Sequence, residues 1–462
     1  MGTIIKTVKQ HSCELDEETL KELLFIGEQY KNVKNYVYSR FSGINSILLI
    51  ENDRKIRDEW THNKFYEQWK LPARYWKLAL SEAISNIKSE WSKTKKRIRT
   101  HIVKNINLLD DDRHYINYVL KFNDLFYKVL TNKKFDIPEI FKAKKLNYNY
   151  LNNLVKRYVR KYKGNIPYTK NSNVFSIDKG LYSYKDKCIK ITCNKKRKRV
   201  FVKLTDNNIR RNTLIVKIIG NKLEIHCPLK IKTKKNKNKE NIIGIDKGYK
   251  YLFSVSTDKF YGEKLNNFLS KETERLNDKN KQRNRFWALY KKNFELGNLN
   301  KANKIKENNL GKIKYNRHKN KHDQTVKSYI NNSLRQLINI EKPTEIVMEQ
   351  LNFVNWNKTY PKSVKRKLSR WIKGYIRERL EYLCQYYDIN ITYINPAYTS
   401  KICNVCNTFG DRDSDVFTCP KCGELHADIN ASKNILNRKY DNEITLYTPF
   451  RKVKEILKKR VS

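Results

Sequence analysis

Four cysteines of this 462-residue chain stand in two closely spaced pairs. Cys403 and Cys406 form the sequence CNVC, and Cys419 and Cys422 form CPKC. A CxxC turn directs two thiolates at one ion, and a second such turn completes a tetrahedral four-sulfur site. Because four thiolates leave no position open for water, the spacing predicts a structural Zn²⁺ site. The remaining cysteines are scattered and do not indicate a disulfide framework: Cys13, Cys188, Cys193, Cys227 and Cys384.

Three acidic residues lie next to apolar runs, where a carboxylate is otherwise costly. They are Asp246 in GIDKG, Glu349 in VMEQLN and Asp428 in HADINAS. Converging carboxylates can share two divalent ions about 4 Å apart, which is chemistry that cleaves phosphodiesters. Each residue also has an ordinary interpretation. Asp246 could be a turn residue before Gly248, Glu349 a strand-end ion pair, and Asp428 a helix N-cap assisted by Asn430.

The charge balance is strongly basic. The chain has 98 Lys and Arg against 47 Asp and Glu, a formal net charge of +51. A positive charge of this size indicates a polyanionic partner, and nucleic acid is favoured over an acidic membrane surface. The alternative without a partner is that compositional bias raised the lysine content. No apolar run approaches the roughly 18–20 residues of a membrane span, and the N-terminus lacks the apolar core of a signal peptide. We therefore expect a cytoplasmic protein with no membrane partner.

The first half of the chain combines helices with a β-rich region. Residues 3–9 alternate like a strand, and helical periodicity begins near residue 15 and returns at 71–93 and 146–163. Residues 173–230 contain five short β-rich runs, which predict a small barrel. The lysine-rich stretch 232–241 is interpreted as a solvated linker. The tryptophans of the helical part are interpreted as core, with base stacking as the alternative: Trp60, Trp69, Trp76 and Trp91.

The second half predicts a sheet interrupted by helices. NIIGIDKGYKYLFSVSTD reads as a strand, a tight turn and a strand, and TEIVMEQLNF and ITYIN read as further strands. A charged helical pair is predicted over about 271–338, with a turn near LGNLNK. SRWIKGYIRERLEYLCQYY and DINASKNILNRK are predicted helices. The first has its apolar stripe at Ile372, Ile376, Leu380, Leu383 and Tyr387.

The ordered motifs of residues 242–438 resemble the RuvC-type nuclease domain of TnpB proteins and of compact type V CRISPR effectors. The resemblance rests on GIDKG (Gly244 to Gly248), IVMEQLN (Ile346 to Asn352), NPAYTSKICNVC (Asn395 to Cys406) and CPKCGELHADINASKNIL (Cys419 to Leu436). Gln350 and Ser432 depart from residues common in relatives, and neither belongs to the acidic set.

This resemblance implies a multidomain α+β chain. An RNase H-like (RuvC) nuclease domain with an inserted zinc ribbon would follow a wedge β-barrel that carries an inserted helical recognition domain. Asp246, Glu349 and Asp428 would be the catalytic residues and the Mg²⁺ ligands of a two-ion site. Cys403, Cys406, Cys419 and Cys422 would bind Zn²⁺. The implied partners are a guide RNA and a double-stranded target DNA with a short flanking motif.

The implied domain boundaries follow the same layout. The wedge barrel would comprise 1–12 and 165–240, the helical recognition domain 13–164, and the nuclease domain 241–270 and 339–438. Within the nuclease domain lie the inserted helical pair, 271–338, and the zinc ribbon, 399–426. Residues 439–462 form a C-terminal tail outside the resemblance.

The function expected from the sequence is Mg²⁺-dependent, RNA-guided cleavage of DNA. Two alternatives stay open: a nuclease-inactive RNA-guided DNA-binding repressor, and a zinc-ribbon nucleic-acid-binding protein without a guide. The sequence does not separate a transposon-borne protein from a CRISPR effector. It also leaves open the guide, the flanking motif, the cleavage pattern and whether a monomer or a homodimer binds one guide.

Overall fold

The computed structural model describes residues 2–460, except 104, 106, 195–197, 249, 312 and 351–373. Ile372 of the predicted apolar stripe and the last two residues of the IVMEQLN motif therefore lie outside the described residues. The chain divides into two units. The N-terminal unit is residues 5–231, and the C-terminal unit is residues 232–462 together with residues 1–4.

The helices of the N-terminal unit begin with a well-capped acidic turn. The Asp16 carboxylate accepts a hydrogen bond from the Thr19 backbone N–H (2.7 Å), which satisfies a free donor at the start of α1 (Glu17–Phe41). Helix α1 packs against α3 (Ala73–Val103). The other helices described in this unit are α2 (Asp53–His62), α4 (Asp110–Lys121), α5 (Asn123–Thr131), α6 (Glu139–Lys142) and α7 (Tyr148–Tyr162). Short 3₁₀ helices lie at Ile44–Ser46, Leu49–Glu51 and Phe65–Trp69.

The tryptophans of this unit are core residues, which confirms the favoured interpretation. Trp60, Trp69, Trp76 and Trp91 are all buried in one apolar cluster. The rings of Trp60 and Trp69 lie 5.1 Å apart, and those of Trp60 and Trp76 lie 6.0 Å apart. Their large apolar surface stabilises the helical packing, so these rings are not available to stack on bases.

Two antiparallel sheets form in the region for which a barrel was predicted. The strands are β1 (Thr3–His11), β2 (Val174–Ile177), β3 (Tyr182–Lys185), β4 (Cys188–Thr192), β5 (Arg199–Lys203), β6 (Leu214–Ile219) and β7 (Lys222–Lys232). One sheet has the order β1-β7-β6-β2 and the other β3-β4-β5. The sequence indicated the N-terminal strand and five of these β-runs, but not β3. Closure into a wedge barrel and the finer domain boundaries remain predictions.

The C-terminal unit is built on a five-stranded mixed sheet. Its strands are β8 (Ile242–Asp246), β9 (Phe253–Val255), β10 (Lys259–Tyr261), β11 (Glu345–Glu349) and β12 (Asn390–Ile394), in the order β10-β9-β8-β11-β12. Strands β8, β11 and β12 are parallel, and β9 and β10 are antiparallel to their neighbours. The sequence analysis predicted a strand at each of these three parallel positions, and all three predictions are thus confirmed.

Both faces of this sheet are covered by helices. Alternate residues of a strand point to opposite faces, so each strand contributes side chains to both. Ile243, Ile245, Ile346 and Met348 face a core shared with α10 (Ile313–Glu341) and α11 (Ile376–Tyr387). On the other face, Val347 and Ile394 pack against Ile435 of α12 (Ala427–Arg438). Gly244 allows α12 to approach closely, since a Cβ there would lie 2.3 Å from the Ser432 carbonyl oxygen.

The helical insertion differs from the predicted pair. It contains α8 (Leu265–Glu295), α9 (Leu299–Asn309) and α10, so three helices stand where two were expected. The predicted turn is present at Gly297, which has a φ of 75°. A second break follows α9 at Leu310 and Gly311 and divides the returning segment. Gly311 was the available signal for this second break, because glycine is unfavourable inside a helix and common just after its end.

The end of the chain adds a small sheet and a last helix. Strands β13 (Asp411–Asp413), β14 (Val416–Cys419) and β15 (Gly423–His426) form an antiparallel sheet, and α13 (Phe450–Lys459) follows α12. Among the described residues, no helix is both long and apolar enough to span a bilayer.

Candidate active site and metal centre

The four predicted zinc ligands lie together. The Sγ atoms of Cys403, Cys406, Cys419 and Cys422 are all within 4.8 Å of one another. One pair lies in the turn closed by the hydrogen bond from Asn407 N–H to the Cys403 carbonyl (3.0 Å). Of the other pair, Cys419 is the last residue of β14 and Cys422 lies in the turn before β15. Hydrogen bonds with Thr408 lower the pKa of Cys406 to about 6, whereas burial raises the pKa of Cys403 and a hydrogen bond with Cys406 raises that of Cys422 to about 12. The set of four sulfur donors fits a structural Zn²⁺ ion.

Two of the predicted acids lie at the carboxyl ends of neighbouring strands. Asp246 is the last residue of β8 and Glu349 the last residue of β11. In the parallel register Met348 lies opposite Ile245, so the two acids follow at the same edge of the sheet. This is where open α/β sheets place ligand-binding groups.

The third acid comes from the helix that covers the sheet. Asp428 is the second residue of α12 and is buried. The alternative N-cap assignment for Asp428 is wrong, because His426 occupies the N-cap position. Asn430 does not assist a cap either. Its side-chain amide donates to the Ile402 carbonyl oxygen (2.8 Å).

The electrostatics show that the three acids interact. Burial and, after it, the negative charge of Asp428 together raise the pKa of Asp246 to about 6, although the positive charge of Arg412 opposes them. Burial also raises the pKa of Glu349 to about 7, with an added contribution from Asp246. Asp246 is thus the acid between the other two, because Asp428 raises its pKa and it in turn raises the pKa of Glu349. Buried carboxylates with insufficient positive charge around them fit hard divalent cations, which take oxygen ligands.

The three carboxylates are less tightly grouped than the cysteines. Within the part of the chain that the structure describes, the cysteine quartet is the set of possible metal ligands whose donor atoms all lie within 4.8 Å. Asp428 instead forms an ion pair with Arg412 of β13, with 2.6 Å between Nη2 and Oδ1. The assignment of the acids as Mg²⁺ ligands therefore stays a prediction.

Three neighbours of the acids were not identified from the sequence. Arg412 pairs with Asp428, and the Thr399 hydroxyl donates a hydrogen bond to Glu349 Oε1. Lys247 follows Asp246 and is half-buried, and this partial burial lowers its pKa. Thr399 and Lys247 lie within the motifs NPAYTSKICNVC and GIDKG, which was the available signal for them. Arg412 lies between the two cysteine pairs, where no spacing pattern marks it.

Part of this unit is similar to known proteins. Residues 374–435 match the family model "Cas12f1-like, TNB domain", a range that contains the four cysteines and Asp428. A TnpB-like protein of Aquifex aeolicus is 34% identical over 95 residues, covering 19% of this chain and 31% of that protein. A TnpB-like protein of Methanocaldococcus jannaschii is 30% identical over 128 residues, covering 27% of this chain and 55% of that protein.

The chain therefore spans less than two thirds of the length of either relative. Among solved structures, the cryo-EM structure of the Cas12f1–sgRNA–target DNA complex has 15% sequence identity and a TM-score of 0.39. The match extends over 95% of this chain and 99% of the chain in that structure. The family match and the two relatives confirm the predicted resemblance to TnpB proteins and compact type V CRISPR effectors.

Proposed function

We propose that this chain is an RNA-guided DNA endonuclease of the RuvC type that hydrolyses phosphodiester bonds. The observation that carries the proposal is the approach of three acids, of which Asp428 is buried and Asp246 and Glu349 are half-buried. Asp246 and Glu349 end adjacent parallel strands, and Asp428 approaches from α12 closely enough to raise the pKa of Asp246. The confirmed resemblance to TnpB proteins supports the guided mode of action.

The acids fit a Mg²⁺ site by their donor chemistry. Asp246, Glu349 and Asp428 would hold the metal. Two bound Mg²⁺ ions would supply activation of water and stabilisation of the leaving 3′ oxygen. The chain itself contributes orientation. Thr399 fixes one oxygen of Glu349 by a hydrogen bond, and Arg412 holds one oxygen of Asp428. Because Asp428 is buried and Asp246 and Glu349 are half-buried, bulk water would screen their interaction with cations less than on an open surface.

The zinc ribbon has a structural part in this proposal. Four thiolates close the coordination of Zn²⁺, so the ion would order the ribbon rather than activate water. The family match over residues 374–435 supports this assignment. Because Arg412 lies in the same ribbon, an ordered ribbon also holds a positive charge against Asp428.

The basic surface supports nucleic-acid partners. The net charge of +51 leaves many cations without acidic partners. In the helical insertion, Lys279, Lys281, Arg285 and Lys291 are all exposed along α8. Neutralising phosphates with such residues releases counterions and adds affinity independent of sequence. A guide RNA and a double-stranded DNA with a short flanking motif are the partners we propose, with base pairing reading the target.

The test begins with RNA. The chain is expressed with its native flanking DNA, and the RNA that copurifies is sequenced. We expect a discrete RNA that ends in a variable guide. The purified complex is then incubated with Mg²⁺ and a plasmid library that carries the guide match beside randomised flanks. Cleavage of a subset with a common flanking motif is the expected result.

A matched pair of variants separates the alternatives. Asp246→Asn removes one charge from the acidic site, whereas Asp278→Asn makes the same change on the exposed surface of α8. We expect Asp246→Asn to abolish cleavage with RNA and target binding retained, and Asp278→Asn to cleave normally. Guided binding without cleavage by the unsubstituted chain would instead indicate a repressor. Heterogeneous cellular RNA alone would indicate a zinc-ribbon protein without a guide.

A further inference from the structure

Glu349 is held by a residue from a different part of the chain. The hydroxyl of Thr399 donates to Glu349 Oε1, across 50 positions of sequence. Thr399 is 1% exposed, so water does not compete for this hydrogen bond. A glutamate at a strand end has three rotatable side-chain bonds, and a buried hydroxyl donor selects among its rotamers. The direction of one Glu349 oxygen therefore depends on where Thr399 lies.

Thr399 belongs to a loop that α12 holds from one side. The loop, Asn395–Ile402, is named here the Thr399 loop. Asn434 of α12 donates to the carbonyl oxygens of Thr399 (2.9 Å) and Ile402 (2.7 Å). Arg438 donates to the carbonyl oxygen of Ala397 (3.2 Å). Both Asn434 and Arg438 are buried, so these hydrogen bonds are shielded from water and hold the loop backbone in place.

The end of the chain holds the same loop from another side. This C-terminal segment is Asp441–Lys459. The Asn395 side-chain amide donates to the carbonyl oxygens of Thr445 (3.0 Å) and Thr448 (2.9 Å). The ring of Phe450 stacks on Tyr398 with 4.3 Å between centroids. Ala397 and Ile402 share a buried cluster with Ile444, Val453 and Leu457.

We propose that Thr399 is a positioning residue for Glu349, and that the C-terminal segment is the support that keeps the Thr399 loop in place. The tail that lay outside the family resemblance is thereby assigned a role in the acidic site. This inference rests on the proposed function, because it concerns the same carboxylate. Partners that orient a metal ligand change metal affinity by roughly 10- to 100-fold when they are removed.

The experiment measures Mn²⁺ binding by the full-length, zinc-loaded chain freed of nucleic acid, with free Mn²⁺ followed by electron paramagnetic resonance. Binding that disappears in Asp246→Asn is attributed to the acidic site. Thr399→Val keeps the shape of the side chain and removes the hydroxyl, whereas Thr399→Ser keeps the hydroxyl. We expect the Mn²⁺ dissociation constant of Thr399→Val to rise about 10-fold or more, and that of Thr399→Ser to stay close to the unsubstituted value.

The C-terminal segment is tested by a second pair on one helix. Val453→Ala removes buried apolar surface from the cluster around the Thr399 loop, and Lys454→Ala removes an exposed side chain beside it. We expect weaker Mn²⁺ binding for Val453→Ala and no change for Lys454→Ala. The zinc content of every variant is measured as a check that the ribbon is folded.

The outcomes are distinct. Equal Mn²⁺ affinity of Thr399→Val and the unsubstituted chain overturns the positioning role, as does an equal loss in Thr399→Ser. Equal affinity of Val453→Ala and Lys454→Ala removes the C-terminal segment from the proposal. No difference between Asp246→Asn and the unsubstituted chain means that the acids bind no divalent ion, and the proposed function then fails before the positioning role is reached.

Discussion

Asn430→Ala is the substitution whose cost the structure defines most closely. Asn430 is 1% exposed on α12, and its side chain makes two hydrogen bonds to the loop that carries Cys403. Its amide donates to the Ile402 carbonyl oxygen (2.8 Å), and its carbonyl oxygen accepts from the Asn404 backbone N–H (2.8 Å). Alanine removes both bonds while preserving, and slightly improving, helix propensity.

The two bonds do not have the same cost. The Ile402 carbonyl oxygen keeps a second donor, Asn434 (2.7 Å), so its loss is about 0.5–1.5 kcal/mol. The Asn404 N–H loses its acceptor in a partly buried position, which adds the cost of an unmade bond, about 1–3 kcal/mol. The two costs together span about 1.5–4.5 kcal/mol, and we expect the free energy of unfolding of the C-terminal unit to fall by about 2–4 kcal/mol, near the middle of that range.

The assay is thermal unfolding of the zinc-loaded chain, with zinc release followed by a chromogenic chelator. For a folding unit of this size, each kcal/mol lowers the Tm by roughly 2–4 °C, so a decrease of about 4–16 °C is expected. Asn437→Ala is the matched control, because Asn437 is exposed on the same helix. If the two variants released zinc at the same temperature, the hydrogen bonds of Asn430 would not hold the ribbon.

Three further predictions test the sheet, the ribbon and the charge. Gly244→Ala would place a Cβ 2.3 Å from the Ser432 carbonyl oxygen and should destabilise the chain by about 1–3 kcal/mol, whereas Gly43→Ala, with open space around it, should cost nothing measurable in thermal unfolding. Cys419→Ser should lose its zinc, measured by elemental analysis; full zinc content would refute the four-thiolate site. Affinity for non-target DNA should weaken at least 10-fold between about 50 and 200 mM salt in a filter-binding titration. An affinity that does not change with salt would mean that the net positive charge reflects compositional bias and not DNA binding.

The sequence predicted the elements that carry the acids because their signals are local. A parallel strand buried on both faces reads as a continuous apolar run, as IIGI before Asp246 and IVM before Glu349 do. The helix after the cysteines likewise shows its own periodicity. Placing the acids together required only the order of such elements, which the resemblance to a known family supplied.

The contacts that orient the acids were not predictable in the same way. Arg412 meets Asp428 across 16 positions, and Thr399 meets Glu349 across 50. Neither pair follows from a period of 2 or 3.6 residues, because each depends on how the ribbon and its loop pack on α12. The docking of α13 is a similar case. The sequence left the role of the C-terminal tail open, and the surface that Val453 and Leu457 cover is assembled from Ala397 and Ile402, far away in sequence.

Helix α12 connects the two candidate metal sites. Its first turn carries Asp428, and Asn430 in the next residues binds the carbonyl of Ile402, directly before Cys403. Its inner face lies against Gly244, two residues before Asp246. A shift of this helix would therefore move Asp428 relative to Asp246 and disturb the cysteine turn at once. For this reason we expect Cys419→Ser, although it is remote from the acids, to weaken Mn²⁺ binding as well as to lose zinc. Unchanged Mn²⁺ binding in that variant would show that the acidic site keeps its geometry without an ordered ribbon.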